Sequence, residues 1–406
     1  MEIIADLHLH SRHSRATSKN ISIETLEKYA KIKGLNLIGT GDFQHALWRK
    51  EIDEKLIEDE NGILRTNSGF PFLWQTEISL IYSQEGRRAL HLVILAPNSK
   101  IADKITEFLG SKGRLDYDGR PIFGIEAREF VEALKRIDDK IEIIPAHCMT
   151  PWFGIFGSKS GFDSLKEAFG EQAKHIYAVE SGMSADPAML WRFEEIASGK
   201  VNIVSFSDAH SAWPWRIGRE ATIFEIPELT YDNVIKAIRT GEGLKATVET
   251  PPEYGKYHWD GHRLCEFSCH PEKTKELKGI CPVCNKPLII GVDNRVEEIS
   301  KHPGGFFPKN SKSFYKLLPL HEIISLYKGM GLSSGGVWQI YNKLIENFDN
   351  EFNILLKVPK EKLIKDFNEK LVDLILKNRE GKIKVKPGFD GEYGVALLEE
   401  KQKKLF

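Results

Sequence analysis

The sequence predicts an α/β domain over residues 1–247 whose alternating strands and helices close a barrel. A small four-cysteine module and a basic helical segment follow it. Three observations carry this. Short apolar runs alternate with stretches of helical periodicity as far as Thr247. Those apolar runs end, one after another, in His, Asp or Glu. Beyond them, four of the five cysteines fall between Cys265 and Cys284.

The first run, Ile3-Ile4-Ala5, leads into Asp6-Leu7-His8-Leu9-His10, and the period of two in a strand puts His8 and His10 on one face. The run 35–42 ends in Asp42, with His45 three residues on; 72–77 ends in Glu77; 89–95 carries His91 inside an apolar strand. The run 141–147 ends in His147, 176–180 in Glu180, and 201–210 in Asp208-Ala209-His210. A lone His-x-His is most simply a pair of hydrogen-bonded structural histidines. So many ligand-type residues at successive strand ends need something to pair them, because unpaired charge is costly to bury. Helical periodicity fills 22–33, with Ser22 as N-cap, and recurs at 125–137, 164–169, 186–196 and 231–240. Strands separated by helices imply a largely parallel sheet with its site at the strand C-termini, and this many repeats favour a barrel over an open sheet.

The break Thr250-Pro251-Pro252-Glu253-Tyr254-Gly255 marks a linker, 248–257. Residues 258–300 hold Cys265-x3-Cys269-x11-Cys281-x2-Cys284, two close thiolate pairs able to close a tetrahedral zinc site, with His262 and His270 as substitute ligands. A module this short has too little core to fold alone, so the metal should supply much of its folding energy. Residues 301–390 turn helical at 320–327, 336–348 and 361–379, the last with an apolar stripe of Leu363, Ile364, Phe367, Leu371, Leu374 and Ile375. Residues 391–406 read as a flexible tail.

The formal net charge is −1, but residues 301–406 hold 19 Lys and Arg against 13 Asp and Glu. Such an offset suits a nucleic-acid-facing module, and equally a helical domain with a solvated Lys face. No stretch is long and apolar enough to span a bilayer and no signal pattern opens the chain, so a soluble, cytoplasmic protein with no membrane partner is expected. The cysteine usage suits a reducing compartment.

The set Asp6-Leu7-His8-Leu9-His10, Asp42, Glu77, His91, Pro145-Ala146-His147 and Ser207-Asp208-Ala209-His210 resembles the metal-binding motifs of the PHP superfamily of phosphoesterases. With the cysteine module and basic helical segment, the domain order resembles that of the archaeal endonuclease Q family. The fold this implies is a distorted (β/α)7 PHP barrel, then a small four-cysteine zinc module, then a C-terminal helical domain. The resemblance implies one divalent metal on His8, His10, Glu77 and Asp208 and a second on Glu77, His91 and His147, with Glu77 bridging. Some members hold a third; here its positions fall on Arg15 and on Gly41-Asp42-Phe43, with His45 displaced, which leaves Asp42 and His210 as its candidate ligands. Imidazole and carboxylate ligands fit zinc, with manganese or magnesium as alternatives, and a separate structural zinc would sit on the cysteines.

The implied activity is metal-activated hydrolysis of the phosphodiester 5′ of deaminated bases in double-stranded DNA: uracil, hypoxanthine, and by extension xanthine and abasic sites. Asp208, His210 and Asp42 are the candidate catalytic residues. Recognition of a base inside a duplex requires exposing its edge. Candidate DNA contacts are Arg12 and Arg15, Trp152, Phe153 and Phe156 after His147, and Trp213, Trp215, Arg216 and Arg219 after His210; the competing reading is an apolar lid packed on the barrel. Two other functions share parts of this pattern: a phosphatase acting on a small phosphomonoester, and a non-catalytic nucleic-acid-binding protein. At the C-terminus, Gln402-Lys403-Lys404-Leu405-Phe406 resembles the opening of a peptide that docks on a sliding clamp, and equally a solvated charged tail.

Overall fold

The computed structural model describes residues 1–398. Its main sheet runs Ser313–Lys316, Leu244–Glu249, Ala221–Glu225, Glu2–Asp6, Leu37–Gly39 and Pro71–Ser83 in spatial order. From Pro71–Ser83 it continues through Arg87–Ala96 to Glu142–Pro145. Ala178–Glu180 and Asn202–Val204 form a separate parallel pair. Their ends turn back towards the first strand: Leu9 bridges Ala209, and His10 N–H donates to Ala209 O at 3.2 Å. The ligand-bearing strand ends therefore meet at one place.

The sheet is mixed, and the largely parallel arrangement expected from the alternation does not hold. Pro71–Ser83 and Arg87–Ala96 form one long antiparallel hairpin, and Arg87–Ala96 runs antiparallel to Glu142–Pro145. Ala221–Glu225 likewise runs antiparallel to both its neighbours. The hairpin arises because Gln84-Glu85-Gly86, with Glu85 and Gly86 at positive φ, joins two strands that no helix separates. As a result Glu77 lies in mid-strand opposite Val93, rather than at a strand end. Both faces of this hairpin are covered, so its side chains are buried almost without alternation.

The helices form where their caps allow. Ser22 closes a capping box with Thr25 at the start of Ile23–Lys33, and Gly34 ends it in the left-handed region. Helices Ala46–Lys55 and Ser99–Lys112 lie in stretches where no periodicity was expected. The stretch 186–196 splits into Pro187–Leu190 and Glu194–Ala197 around an extended Phe193. The run 361–379 also splits, into Lys360–Asp366 and Glu369–Arg379, because Asn368 accepts Lys370 N–H and caps a new helix. Leu363, Leu371 and Ile375 remain buried, whereas Ile364 is exposed.

The C-terminal helices do not hang free. Strand Ser313–Lys316 adds in parallel to Leu244–Glu249. The fully buried ion pair of Lys33 Nζ with Glu351 Oε1, 2.6 Å, joins the first helix to Glu351–Leu356. Residues 391–398, expected within a flexible tail, contain Val395–Leu397 paired with Lys384–Lys386, and Gly394 N–H donates to Tyr254 O at 3.1 Å. Backbone pairing across the linker holds this segment down. The clamp-type sequence with Gln402 and Leu405 lies outside the described residues. Among the described residues, no helix is long and apolar enough to cross a membrane.

Candidate metal centre

The strand ends bring two sets of ligand atoms onto one carboxylate. His8, His10, Glu77 and Asp208 offer atoms that all lie within 4.8 Å of one another, and so do Glu77, His91 and His147. Glu77 belongs to both. Its Oε1 lies 3.5 Å from His8 Nε2, 2.9 Å from His91 Nδ1 and 3.3 Å from His147 Nε2. Its Oε2 lies 3.1 Å from His10 Nε2, which is also 3.1 Å from Asp208 Oδ1. His8 Nε2 is buried without a hydrogen-bond partner, aimed at Glu77 and Asp208. Buried imidazole nitrogens and carboxylate oxygens converging in this way fit divalent cations.

Each ligand is held from behind. His8 Nδ1 faces Glu180 Oε1 at 2.9 Å, and Glu180 Oε2 also accepts His147 N–H at 2.7 Å. His10 Nδ1 faces Asp42 Oδ1 at 3.2 Å. Asp42 Oδ2 accepts Ser11 N–H, Ser11 Oγ–H and Ser14 Oγ–H at 2.7, 2.6 and 2.8 Å. Asp42 thus faces His10 in the way of the usual partner of a metal-bound imidazole, and among the described residues no candidate metal group joins it with His210. Two close approaches leave no room for a side chain. A Cβ on Gly119 would lie 2.2 Å from Asp42 Oδ2, and one on Gly182 would lie 2.6 Å from His147 Cβ. Asp42, His147 and Asp208 leave their strands at φ +38°, +33° and +48°. A non-glycine residue there costs on the order of 1–3 kcal/mol, which the surrounding hydrogen bonds offset.

The electrostatics follow from burial and crowding. Burial alone would lower His8, but Glu180, Glu77 and Asp208 outweigh it and hold the ring well above the usual imidazole range; Asp208 and Asp42 do the same for His10. Burial would raise Glu77, yet His91, Arg120 and His8 keep it ionised, well below the usual carboxylate range. Burial takes His91 the other way, down to about 4 despite Glu77. His210 is also lowered, chiefly by burial. Its Nδ1 is fixed 2.9 Å from Asp208 O at the rim of the cluster.

Above the cluster a cleft of about 480 Å³ is lined by His91, His147, Asp208 and His210 on one side and by linker and C-terminal residues, Tyr257 and Tyr393 among them, on the other. Trp152, Phe153, Arg216 and Arg219, candidate DNA contacts from the sequence, line it. Phe153 stacks on His91 at 4.3 Å, and Trp152 meets Tyr257 at 5.4 Å. The other expected DNA contacts lie elsewhere. Phe156 is buried against Phe193, and Trp213 and Trp215 stack on each other and pack against Trp338 of the helical segment. For these three the packing reading holds, because their rings fill gaps between elements. Arg12 is taken up by Glu51, Ile21 O and the Trp48 ring. Arg15 is exposed, beside Asp118 and Tyr117.

Two contributors were not assigned from the sequence. Glu180 was visible as one more carboxylate at a strand end, but nothing marked it as the residue behind His8. Arg120, whose Nη1 lies 3.1 Å from Glu77 Oε2, comes from a loop without periodicity or motif.

In the cysteine module the expected substitute His262 lies with three of the four cysteines. His262, Cys265, Cys281 and Cys284 present atoms within 4.8 Å of one another, with His262 Nδ1 at 3.1 Å from Cys265 Sγ and 3.4 Å from Cys284 Sγ. Cys269 packs in the same small core, but its Sγ meets Thr274 Oγ1 at 3.3 Å. Strand Asp260–His262 pairs with Phe267–Cys269 so that His262, on the opposite strand, takes the place at the thiolate cluster.

Comparison with known proteins supports these observations. The family profile described as the MJ0043 C-terminal domain matches residues 319–382. The uncharacterized protein MJ0043 of Methanocaldococcus jannaschii is 32% identical over 295 residues, which are 70% of this chain and 34% of that protein, so the chain spans about a third of that relative's length. The uncharacterized protein YqxK of Bacillus subtilis is 25% identical over 97% of this chain and 98% of its own length. The crystal structure of the lesion-specific endonuclease PfuEndoQ from Pyrococcus furiosus superposes with a TM-score of 0.87 at 30% identity, covering 100% of this chain and 98% of that one. Endonuclease Q in complex with a 27-mer duplex substrate carrying an abasic lesion at the active site gives a TM-score of 0.87 at 31% identity, covering 98% of each. With identity at this level over the full length of both chains, the chain belongs to the endonuclease Q family.

Proposed function

We propose that the protein is a DNA repair endonuclease that hydrolyses the phosphodiester 5′ of a deaminated base, uracil or hypoxanthine, in double-stranded DNA, with abasic sites and xanthine as further substrates. The single observation that carries this reading is the position of Glu77, one buried carboxylate facing both His8, His10 and Asp208 and His91 and His147 on the floor of an open cleft. We read the closed ring of strand ends around it as the distorted (β/α)7 barrel of the PHP superfamily.

His8, His10, Glu77 and Asp208 would hold one divalent ion and Glu77, His91 and His147 a second, with zinc favoured by the donor set and manganese or magnesium as alternatives. Such ions supply an activated water and neutralise charge on the phosphate oxygens as it develops. Glu180 and Asp42 keep the imidazoles aligned. Arg120, Arg216 and Arg219 line the cleft and bind the phosphates on either side of the scissile bond. His210, pinned through Nδ1 to Asp208 O, protonates the leaving oxygen through its other nitrogen. Trp152, Phe153, Tyr257 and Tyr393 give an extruded base aromatic faces to stack on.

A small phosphomonoester would not need so wide a cleft or the two added modules. The test is incubation of the metal-loaded chain with end-labelled duplexes, each carrying one deoxyuridine, deoxyinosine, deoxyxanthosine or abasic site, beside an unmodified duplex and a chromogenic phosphomonoester. A nick confined to the 5′ side of the lesion is expected. Turnover of the phosphomonoester with every duplex intact would replace this reading by the phosphatase.

A further inference from the structure

The loop from Asp208 to Glu220 has two faces. Asp208, His210, Arg216 and Arg219 border the cleft. Trp213 and Trp215 turn away from it, stacked at 5.4 Å with ring planes 5° apart, and meet Trp338 at 6.0 and 5.7 Å. Trp215 also packs on His321 at 4.8 Å. Every aromatic anchor of the loop thus lies on helices Leu320–Lys328 and Gly335–Phe348, or on Tyr29 of the first helix, which meets Trp213 at 5.5 Å.

His321 is the centre of this contact. It is fully buried, and its ring touches Trp215, Trp338 at 4.6 Å with planes 79° apart, and Tyr341 at 3.9 Å. Neither ring nitrogen meets a hydrogen-bond partner among the described residues. Burial, with Lys33 nearby, pushes the imidazole down to about 3, so the ring is neutral. A neutral imidazole without partners is a poor choice for filling space alone. What it offers is a flat ring that fits between three others, with a polar edge set against an aromatic face.

The support behind His321 is rigid. Glu351 accepts from Lys33 Nζ at 2.6 Å, from Leu320 N–H at 2.9 Å and from Tyr341 Oη–H at 2.9 Å. One buried carboxylate therefore ties the barrel's first helix to the start of the His321 helix and to the helix carrying Trp338 and Tyr341. On the barrel side, Asp6 fixes both ends of the loop by accepting Ser207 N–H at 2.9 Å and Gly218 N–H at 2.8 Å. The loop is pinned at its ends by the barrel and at its middle by the helical segment.

We propose that the helical segment 319–382 is a positioning element of the active site, and that His321 is the positioning residue that sets, through Trp215, the loop carrying Asp208, His210, Arg216 and Arg219. The inference rests on the nuclease reading only for its catalytic readout. The segment's apolar face then belongs to the shape of the cleft.

The experiment compares wild type, His321→Ala, His321→Phe and Trp213→Leu as full-length, metal-loaded proteins. Trp213→Leu lies on the loop side of the contact, outside the helical core, and serves if His321→Ala does not fold. Single-turnover nicking of a lesion duplex at saturating enzyme should fall at least tenfold in His321→Ala and in Trp213→Leu, with duplex Kd changed less than threefold. His321→Phe, which keeps a ring in the gap, should restore most of the rate. Hydrogen exchange should quicken in peptides covering 208–220 and stay unchanged in those covering 71–96. Equal losses in rate and in Kd would make the segment a DNA-binding unit and overturn the proposal, as would unchanged exchange over 208–220. If the wild type nicks no duplex, the nuclease reading fails, and the exchange comparison alone decides the positioning role.

Discussion

The carboxylate–imidazole cluster of the α/β domain and the thiolate cluster of the small module are both built from convergent ligand-type residues, yet they stand on opposite foundations. Behind the barrel ligands lies a large apolar core, with Glu180, Asp42, Ser11 and Ser14 orienting the imidazoles. Around His262, Cys265, Cys281 and Cys284 the module's own buried core, among the described residues, is Cys269, Cys281 and Leu288. In the first region the fold makes the site, and a metal would add chemistry. In the second a bound metal would make the fold. The same ligand types therefore serve catalysis where the protein has already fixed them, and stability where it has not.

The largest effect expected from this contrast concerns the barrel. Asp208→Asn or His8→Ala should abolish nicking while leaving the melting temperature and duplex binding close to wild type, since neither side chain supports the apolar core. Loss of folding in either variant, seen by circular dichroism, would break the contrast. The module should respond in the opposite sense. His262→Ala should remove about one zinc per chain and speed hydrogen exchange over 258–300, without altering exchange over 71–96. Cys269→Ser, by contrast, should keep its zinc; metal analysis showing the reverse pattern would restore the four-cysteine set.

A smaller effect should come from the residues behind the barrel ligands. Glu180→Gln and Asp42→Asn should each cost about 10- to 100-fold in metal affinity or activity, and a rate equal to wild type would show that the imidazoles need no orientation. The smallest concerns pH. The carboxylates around His8 and His10 raise both rings above their ordinary value, so at neutral pH they hold protons that a cation must displace. Apparent metal affinity should then rise with pH, by about tenfold per unit for each proton released. It should level off once pH exceeds the raised values. Titration calorimetry in buffers of different ionisation heat counts those protons, and a count of zero would contradict this electrostatic account.

Much of this was legible in the residues. His8, His10, Glu77, His91, His147 and Asp208 stand out because carboxylates and imidazoles break apolar runs at strand ends, and Cys281-x2-Cys284 stands out by spacing alone. The exceptions have physical causes. A hairpin made by Gln84-Glu85-Gly86 leaves both strands buried on both faces, so nothing in the pattern distinguishes it from parallel strands. Asp42 has the type and place of a ligand, and only the hydrogen bonds from Ser11 and Ser14 show that it orients His10 instead. Trp213, Trp215 and Phe156 are as aromatic as any base-stacking residue, and which side of the loop they face is decided by distant partners such as Phe193, His321 and Trp338. The approach of His262 to the thiolates is set by strand pairing within the module, which spacing does not encode.

The central claim, that one bridging carboxylate organises a hydrolytic metal centre for damaged DNA, is tested most directly at Glu77. Wild type and Glu77→Gln, each dialysed against zinc or manganese and assayed for bound metal, are incubated with an end-labelled duplex carrying a single deoxyuridine. The account predicts one nick on the 5′ side of the lesion for the wild type, with no nick and a lowered metal content for Glu77→Gln. Nicking by Glu77→Gln at the wild-type rate and metal content would contradict it.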